Sequence, residues 1–498
     1  MQRRDFLKSG ATAAAVMVSG VRFVSAAEYK GALMPGSLDA VRLTGEHFSI
    51  PAGELTDFDK AIYGRVLVPT SDGYDTARHI RNPAIDKHPA VIVQVRGVTD
   101  IQLAVNFARE HKMLTAVRCG GHSFSGQSVC DGGMMIDMAT MPGVRIDPQN
   151  KRAWVTGGSL LGLLDRESMA HNLVTTMGTV SHTGVGGLVT GGGLGRLSRR
   201  FGMAIDNLVS VDMITADGSF VHADATENPD LFWGVRGGGG NFGVVSMFEF
   251  QLHPMQRQVM SGIMTFPPEQ SLDIFKMFAD YSVHAPPKLD LSMSYSPRGA
   301  TVTIFYSGDP RDLDRLLEPV RKAGKATVDR INAMDYVAVQ NGGDVKETST
   351  DPRMLMGQYM KARFLNGISP ELIKGLQDGV AKHQLSVTLS TGCGMHGNVK
   401  PTDTAFPHRY ATHNMLCGTS WKENEDGAAP MKNVREFWAE IEPLLGDVGF
   451  YVNDAPAGEV LNNANYRENY PRLVQIKNKY DPGNLFRLNA NIIPTAKA

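Results

Sequence analysis

The chain reads as an α+β protein of two units, and three features of the sequence predict this. At 498 residues with 42% hydrophobic content it is too long for one compact core, so two domains are the natural division. Its early elements run strand, helix, strand, an order that suits a mixed α+β layer better than an open parallel sheet. From about Gln256 the glycines thin out, and a helix, two strands and a helix are followed by the same pattern again. That repetition predicts an antiparallel sheet backed by helices on one face.

The elements follow in order. Residues 31–74 show little periodicity and are read as wrapping the surface. Residues 90–95 form a strand, and Thr99-Asp100 cap a helix over 101–111 with Ile101, Val105 and Ala108 on one face. The apolar run 113–117 is a buried strand that ends at Arg118 and turns through Gly120-Gly121. Strands follow at 134–138 and 152–156, with a helix over 160–172. A strand over 209–215 turns at Asp217-Gly218 into a second strand, and Leu231 to Trp233 open a short helix that stops at Gly237. The strand 244–252 then closes the first unit at His253-Pro254. In the second unit, helices are expected at 272–282, 312–323, 370–383 and 431–445, and strands at 289–295, 301–306, 385–389 and 410–417. The expected division is 60–255, then 256–449, with 450–498 returning to the first unit.

Three glycine-rich patches carry the functional signal. They are Gly120-Gly121-His122-Ser123, then Gly184-Val185-Gly186-Gly187 running into Gly191-Gly192-Gly193-Leu194-Gly195, then Gly237 to Gly240 followed by Asn241-Phe242-Gly243. Without a Cβ, backbone N–H groups can approach a ligand closely. Three such patches between Arg118 and Gly243 predict one long ligand held by main chain. A nicotinamide-type fingerprint over 177–206 is rejected, because no clear strand precedes its glycines and Asp212 lies inside the strand 209–215.

Four segments in order carry a resemblance: RxGGHSxxG from Arg118, GVGGLVxGGGLGRLSRRFGxAxDNL from Gly184, ENPDLFWxVRGGGGNFGVV from Glu227, and KYDPxNLFRxNxNI from Lys479. Together they resemble the FAD-linked oxidases of the vanillyl-alcohol oxidase and p-cresol methylhydroxylase (PCMH) superfamily, and within it the berberine-bridge-enzyme-like branch. The likeness runs from about Arg65 to Pro494. It implies a two-domain PCMH-type fold with FAD as cofactor. It also implies a covalent bond from His122 to the flavin 8α-methyl, which would prevent cofactor loss and raise the flavin potential.

Further contacts implied by the resemblance are Arg118, Cys119, Gly120, Gly121, Ser123, Gln127 and Ser128 along the backbone and pyrophosphate, and Gly178, Thr183, Gly184, Gly187 and Gly192 along the second patch. Asn241, Val244 and Val245 match the adenine side, and Asn453, Asn489 and Asn491 match residues near the isoalloxazine. Many relatives add a cysteinyl bond from a GxCPxxG segment. Here Val180 holds that place in the segment Gly178 to Gly184, so a single covalent bond is expected. Relatives control oxygen access at the position of Thr183, and threonine fits neither of their habits.

Many relatives also carry a tyrosine base in a Y-x-N-Y segment; this chain reads Tyr451-Val452-Asn453-Asp454. A carboxylate buried beside a flavin can have its pKa raised toward a useful range, so Asp454 is the first candidate base. Tyr466 and His413 are the others, with Asn414 beside His413 on its strand. The expected activity is oxidation of a hydroxyl-bearing small molecule, a sugar or alcohol, by hydride transfer to FAD, with O2 reduced to H2O2. The alternatives are a dehydrogenase passing electrons to a quinone or protein acceptor, an amine or alkaloid oxidase, and a flavin-binding protein without turnover.

A formal net charge of −1 without basic runs after the extreme N-terminus argues against nucleic acid as partner. Arg3-Arg4-Asp5-Phe6-Leu7-Lys8 followed by a weakly apolar segment has the pattern of a twin-arginine export signal, with small residues at Ser25-Ala26-Ala27 for cleavage within 1–27. The run is too short and interrupted to span a membrane, so the mature chain is expected to be periplasmic or secreted, with the twin-arginine export machinery as a partner. The four cysteines, Cys119, Cys130, Cys393 and Cys417, match no zinc spacing. Cys119 with Cys130 and Cys393 with Cys417 could pair, although buried free thiols are the plainer expectation. No metal is expected.

Overall fold

The computed structural model describes residues 36–342, 356–392, 394–455 and 463–495. The segment read as an export signal, its expected cleavage site and Cys393 lie outside them. The described chain is α+β, built on a four-stranded mixed sheet, a five-stranded antiparallel sheet and a seven-stranded antiparallel sheet.

In the four-stranded sheet, Val91–Gln94 and Thr115–Arg118 both run parallel to Met134–Asp137, and Arg65–Leu67 adds an antiparallel edge. The helix Val98–Glu110 makes the crossover and buries Ile101, Ala104, Val105 and Ala108 at helical spacing. Its start differs from expectation. Gly97 is the cap residue, and Asp100 is turned inward, where its carboxylate accepts from the amides of Tyr63 (2.8 Å), Gly64 (3.0 Å) and Arg96 (2.9 Å). Asp100 therefore ties a loop to the helix entry, a task no local pattern announces.

The described part of the segment read as a surface wrap, from Gly36 on, contains regular elements. Ser37–Val41 pairs with His47–Pro51, and the helix Ala52–Ala61 buries Leu55 and Phe58 against the same layer. In the five-stranded sheet, Leu208–Thr215 lies between Phe220–Asp224 and Gly243–Gln251, with Gly218 at φ +83° in the connecting turn. The expected helix over 160–172 is shorter, Leu161–Met169.

The seven-stranded sheet draws every strand from between Gln258 and Lys422. Three of them escaped the sequence reading: Gln258–Phe266, Val328–Asp335 and Met356–Leu365. Val328–Asp335 is an edge strand with both faces largely exposed, so it shows no alternation. The helices Ser271–His284, Pro370–His383 and Ala428–Ile441 cover one face of the sheet through Phe275, Phe278, Leu376, Val380, Phe437 and Trp438. The helix expected over 312–323 is split into Leu313–Leu316 and Glu318–Ala323, because Pro319 lacks the N–H that would carry it through. The last helix stops at Ile441 ahead of Pro443 for the same reason.

The sheet's other face turns toward the glycine-rich layer. Its edge strand Met356–Leu365 is closed by Asn82, whose side chain donates to Gln358 O (2.8 Å) and accepts from Gln358 N (3.0 Å). The C-terminal segment packs back on the third glycine patch. In the helix Tyr470–Tyr480, the fully buried Lys477 Nζ donates to Asn241 O (2.7 Å), Phe486 O (3.0 Å) and the equally buried Asp481 carboxylate (2.7 Å). Asp481 in turn accepts from the amides of Leu485 and Phe486. Among the described residues no helix is long and apolar enough to cross a membrane.

Removing one partner of a buried ion pair leaves the other charge uncompensated, at a cost of roughly 3–5 kcal/mol. Lys477→Ala is therefore expected to lower the free energy of unfolding by that amount, read in urea as a lower midpoint at an unchanged slope.

Candidate active site

The three glycine patches meet Tyr451 to Asp454 and Phe486 to Ala490 around one cavity of about 490 Å³. Its wall is set by main chain. A Cβ on Gly120 would overlap the Gly184 amide, and one on Gly184 would overlap Gly120. These two glycines are bare because their loops touch. Gly187 and Gly240 are different, because a Cβ on either would meet nothing within 4 Å and both border the cavity. Here the empty Cα leaves room for a ligand.

His122 stands on the wall two residues beyond that loop contact. Its Nε2 lies 2.5 Å from His182 Nδ1, and its Nδ1 lies 3.3 Å from Thr183 Oγ1. Burial, then the neighbouring His182 and Arg81, hold its pKa well below the usual histidine range. The imidazole is neutral and keeps a lone pair at neutral pH.

Most of the residues expected at the site line this cavity: Cys119, Gly120, Gly121, Ser123, Gln127, Ser128, Gly178, Thr183, Gly184, Gly187, Val244, Val245, Asn453 and Asn489 join His122. Gln127 Nε2 donates to Asn489 O (3.0 Å), closing the first patch onto the C-terminal segment. Ser128 Oγ and Asn489 Oδ1 are buried without a protein partner, two polar atoms held ready at the wall. Cys119, Cys130 and Cys417 are unpaired, and burial pushes the Cys119 thiol up to about 11, so it stays protonated.

Four expected contacts stand behind the wall. Arg118 is paired with the buried Asp137 (3.0 Å). A Cβ on Gly192 would crowd Met203 and Phe406, so its bareness serves packing. Asn241 donates to Gly238 O (2.8 Å) and Ala490 O (3.0 Å) and accepts from Ile492 N (2.9 Å), which stitches the third patch to the C-terminal segment. Asn491 is outside the cavity lining, with its Oδ1 buried and unpartnered.

The three candidate bases separate cleanly. His413 is buried on the helix-covered side of the sheet, between Ser282 Oγ (2.9 Å) and Thr412 Oγ1 (3.0 Å), and burial lowers it to about 4. Tyr466 borders the cavity, but its hydroxyl is engaged by Ala490 O (2.9 Å) and Gly238 O (3.2 Å), and burial raises its pKa. Asp454 borders the cavity and accepts from Asn414 Nδ2 (3.0 Å). Burial pushes Asp454 up to about 6, against the opposing pull of that hydrogen bond. Asn414 faces Asp454 because strand alternation sends it to the side opposite His413.

The sequence reading missed Tyr451, whose hydroxyl accepts from Gly193 N (2.9 Å), Leu194 N (3.3 Å) and Asn453 Nδ2 (2.7 Å). It also missed the apolar wall supplied by Met360 and Leu416 from the seven-stranded sheet. Among the described residues no group of three His, Cys, Asp or Glu side chains could hold a metal ion.

Comparison with known proteins places this chain in a family. A family model described as FAD binding domain matches residues 89–224, and one described as berberine and berberine like matches 451–493. The FAD-linked oxidoreductase YvdP of Bacillus subtilis is 30% identical over 443 residues, covering 87% of this chain and 98% of that protein. The chain belongs to the berberine-bridge-enzyme-like FAD-linked oxidoreductases. Within that family, (R)-6-hydroxynicotine oxidase of Paenarthrobacter nicotinovorans is 28% identical, covering 87% of this chain and 97% of that one. Glucooligosaccharide oxidase from Acremonium strictum, described with a 6-S-cysteinyl, 8α-N1-histidyl FAD, superposes with a TM-score of 0.80 at 26% identity, covering 87% of this chain and 98% of that one.

As an FAD-linked oxidoreductase, the chain should show a cavity that fits the cofactor, and it does. The open Cα positions of Gly187 and Gly240 leave room along two of the patches, and the unpartnered Ser128 Oγ and Asn489 Oδ1 offer hydrogen bonds. Gly187 lies in the helix Val185–Thr190, where leucine is the better helix former by up to about 1 kcal/mol. Gly187→Leu is therefore expected to fold with unchanged far-UV circular dichroism while flavin absorbance per mole of chain falls severalfold. Full flavin content in that variant would show that this Cα does not face the cofactor.

Proposed function

We propose that this chain oxidises a hydroxyl-bearing small molecule, a sugar or an alcohol, on FAD tethered through His122 alone, with O2 reduced to H2O2. FAD, when bound, supplies the hydride acceptor. The observation that carries the reading is the Asp454 carboxylate at the wall of the cavity that also holds His122, oriented by Asn414 and raised to about 6. In its ionised form Asp454 accepts the hydroxyl proton as the substrate carbon is oxidised. Asn414 fixes which oxygen faces the cavity by occupying Oδ2. Met360 and Leu416 give the cavity an apolar lining on the side of the seven-stranded sheet, where a substrate would be shielded from water.

A single tether is supported by Val180, which lines the cavity at the place where doubly attached relatives carry cysteine. Similarity to an enzyme named as a glucooligosaccharide oxidase supports a hydroxyl substrate. The twin-arginine pattern at Arg3-Arg4 supports export of the folded, flavin-loaded chain to the periplasm or beyond.

The test is anaerobic flavin bleaching with a panel of sugars and aromatic alcohols, followed by admission of air and assay of peroxide. The base must be ionised to work, so the reduction rate should rise as pH rises through about 6 and fall away below it. Asp454→Asn should slow reduction by roughly 10²–10⁴-fold and abolish that acid limb. An unchanged rate would remove Asp454 from the chemistry. His122→Ala should release its flavin on acid precipitation, whereas the parent chain stays yellow.

A further inference from the structure

We infer that the substrate is an elongated acidic saccharide whose carboxylate, remote from the oxidised hydroxyl, is bound by Arg81 at the mouth of the cavity; this rests on the reading that a hydroxyl is oxidised at Asp454. Among the described residues that line the cavity, Arg81 is the sole Lys or Arg and Asp454 the sole Asp or Glu. The two charges stand at opposite ends of it.

The seven-stranded sheet supplies the scale. Its strands Met356–Leu365 and His413–Lys422 run antiparallel, with Phe364 opposite Asn414, Ala362 opposite Leu416, Met360 opposite Gly418 and Gln358 opposite Ser420. Strand alternation puts these pairs on one face, and Met360 and Leu416 show that this face borders the cavity. At one end of the row Asn414 Nδ2 donates to Asp454 (3.0 Å), and at the other Arg81 Nη1 donates to Gln358 Oε1 (3.4 Å). The residue steps from Gln358 to Phe364 make about 20 Å at the rise of a strand. Exposure grades along the same row: Phe364 is 2% and Asn414 5% accessible, Met360, Leu416 and Gln358 are half-buried, and Ser420 is exposed. The cavity is therefore closed at Asp454 and opens at Arg81.

This arrangement selects both a shape and a charge. An arginine side chain spans only part of that distance, so a single sugar ring at Asp454 does not reach the guanidinium, whereas a short chain of rings does. The guanidinium keeps its charge at every working pH and presents five N–H donors in a planar fork that matches a carboxylate. One hydrogen bond to Gln358 does not exhaust that fork, and an ionised acceptor roughly doubles the strength of the bonds a neutral sugar hydroxyl would make. The position of Arg81 does not depend on its side chain. Its backbone N donates to Gly121 O (2.9 Å), and the neighbouring Asn82 clasps the main chain of Gln358. Removing the guanidinium thus leaves the loop docked on the sheet.

The experiment compares the flavin-loaded full chain with Arg81→Gln and Arg81→Lys under nitrogen. The probes are cellotriose and the same trisaccharide with glucuronate in place of its non-reducing glucose, and flavin absorbance is followed against probe concentration. The parent should favour the acidic trisaccharide in KM by roughly 10–100-fold, and added salt should weaken that preference. Arg81→Gln should bring the ratio of the two KM values close to unity, with the loss in KM rather than in kcat, while Arg81→Lys should keep part of the preference. Equal KM values in the parent, or a preference that survives in Arg81→Gln, would overturn the inference. So would a fall in the flavin content of Arg81→Gln, because Arg81 would then serve the cofactor's own phosphates. Bleaching by an aromatic alcohol with no response to either trisaccharide would overturn it as well, and would leave hydroxyl oxidation standing. An Arg81-dependent change in the flavin spectrum on adding the acidic trisaccharide, without bleaching, would instead keep the carboxylate site and sink the reading that its hydroxyl is oxidised.

Discussion

Two glycines touching main chain to main chain set the geometry on which the cavity depends. Gly120 follows the strand Thr115–Arg118 of the mixed sheet, and Gly184 caps the helix Val185–Thr190. Because neither residue can carry a Cβ without overlapping the other, the two loops approach more closely than any pair of side-chain-bearing residues could. The consequence is chemical: His122 on one loop meets His182 and Thr183 on the other. A methyl group at either glycine would part the loops by more than the tolerance of a hydrogen bond, and the imidazole pair would be lost although neither histidine had changed.

Burial then acts on the groups that line this space, with opposite signs for acid and base. Desolvation disfavours whichever form is charged, so it holds His122 unprotonated while it raises Cys119 and Asp454. For Asp454 the effect has a cost in stability. Its folded pKa of about 6 lies above the ordinary carboxylate value of 3.8, so the folded chain binds that proton more tightly than the unfolded chain does. The contribution to stability is complete below the unfolded value and is lost as pH rises through the folded one. A carboxylate poised to accept a proton near neutral pH is a mild strain on the fold under the same conditions.

The sequence made the glycine patches, His122 and the segment ending at Asp454 legible, because bare backbone beside a strand end and a carboxylate in a tyrosine's place are local features. Pro370–His383 was readable to its ends: Ser369 caps it, Pro370 opens it, and Leu372, Ile373, Leu376 and Val380 keep helical spacing. What stayed hidden depends on partners far along the chain. Gly192 and Gly187 look alike in sequence, yet one is bare for Met203 and Phe406 and the other for a ligand. Choosing between His413 and Asn414 needs the strand's register, since a shift of one residue exchanges its two faces. His182 has no signal of its own, because its meaning lies wholly in being opposite His122.

The proposed base is also where the two layers of the protein meet. Asp454 comes from the C-terminal segment that packs on the glycine-rich layer, whereas Asn414 comes from the seven-stranded sheet. Their hydrogen bond spans the cavity's two sides, as the Asn82 clasp on Gln358 does at the sheet edge. Burial sets the carboxyl high and Asn414 pulls it down, so the proton affinity of Asp454 depends on how closely the sheet is docked. Any displacement that lengthened the Asn414 contact would raise the carboxyl further and leave less of it ionised at neutral pH. The packing of the sheet against the glycine-rich layer is thus coupled to the chemistry through one 3.0 Å hydrogen bond, and not only through the shape of the pocket.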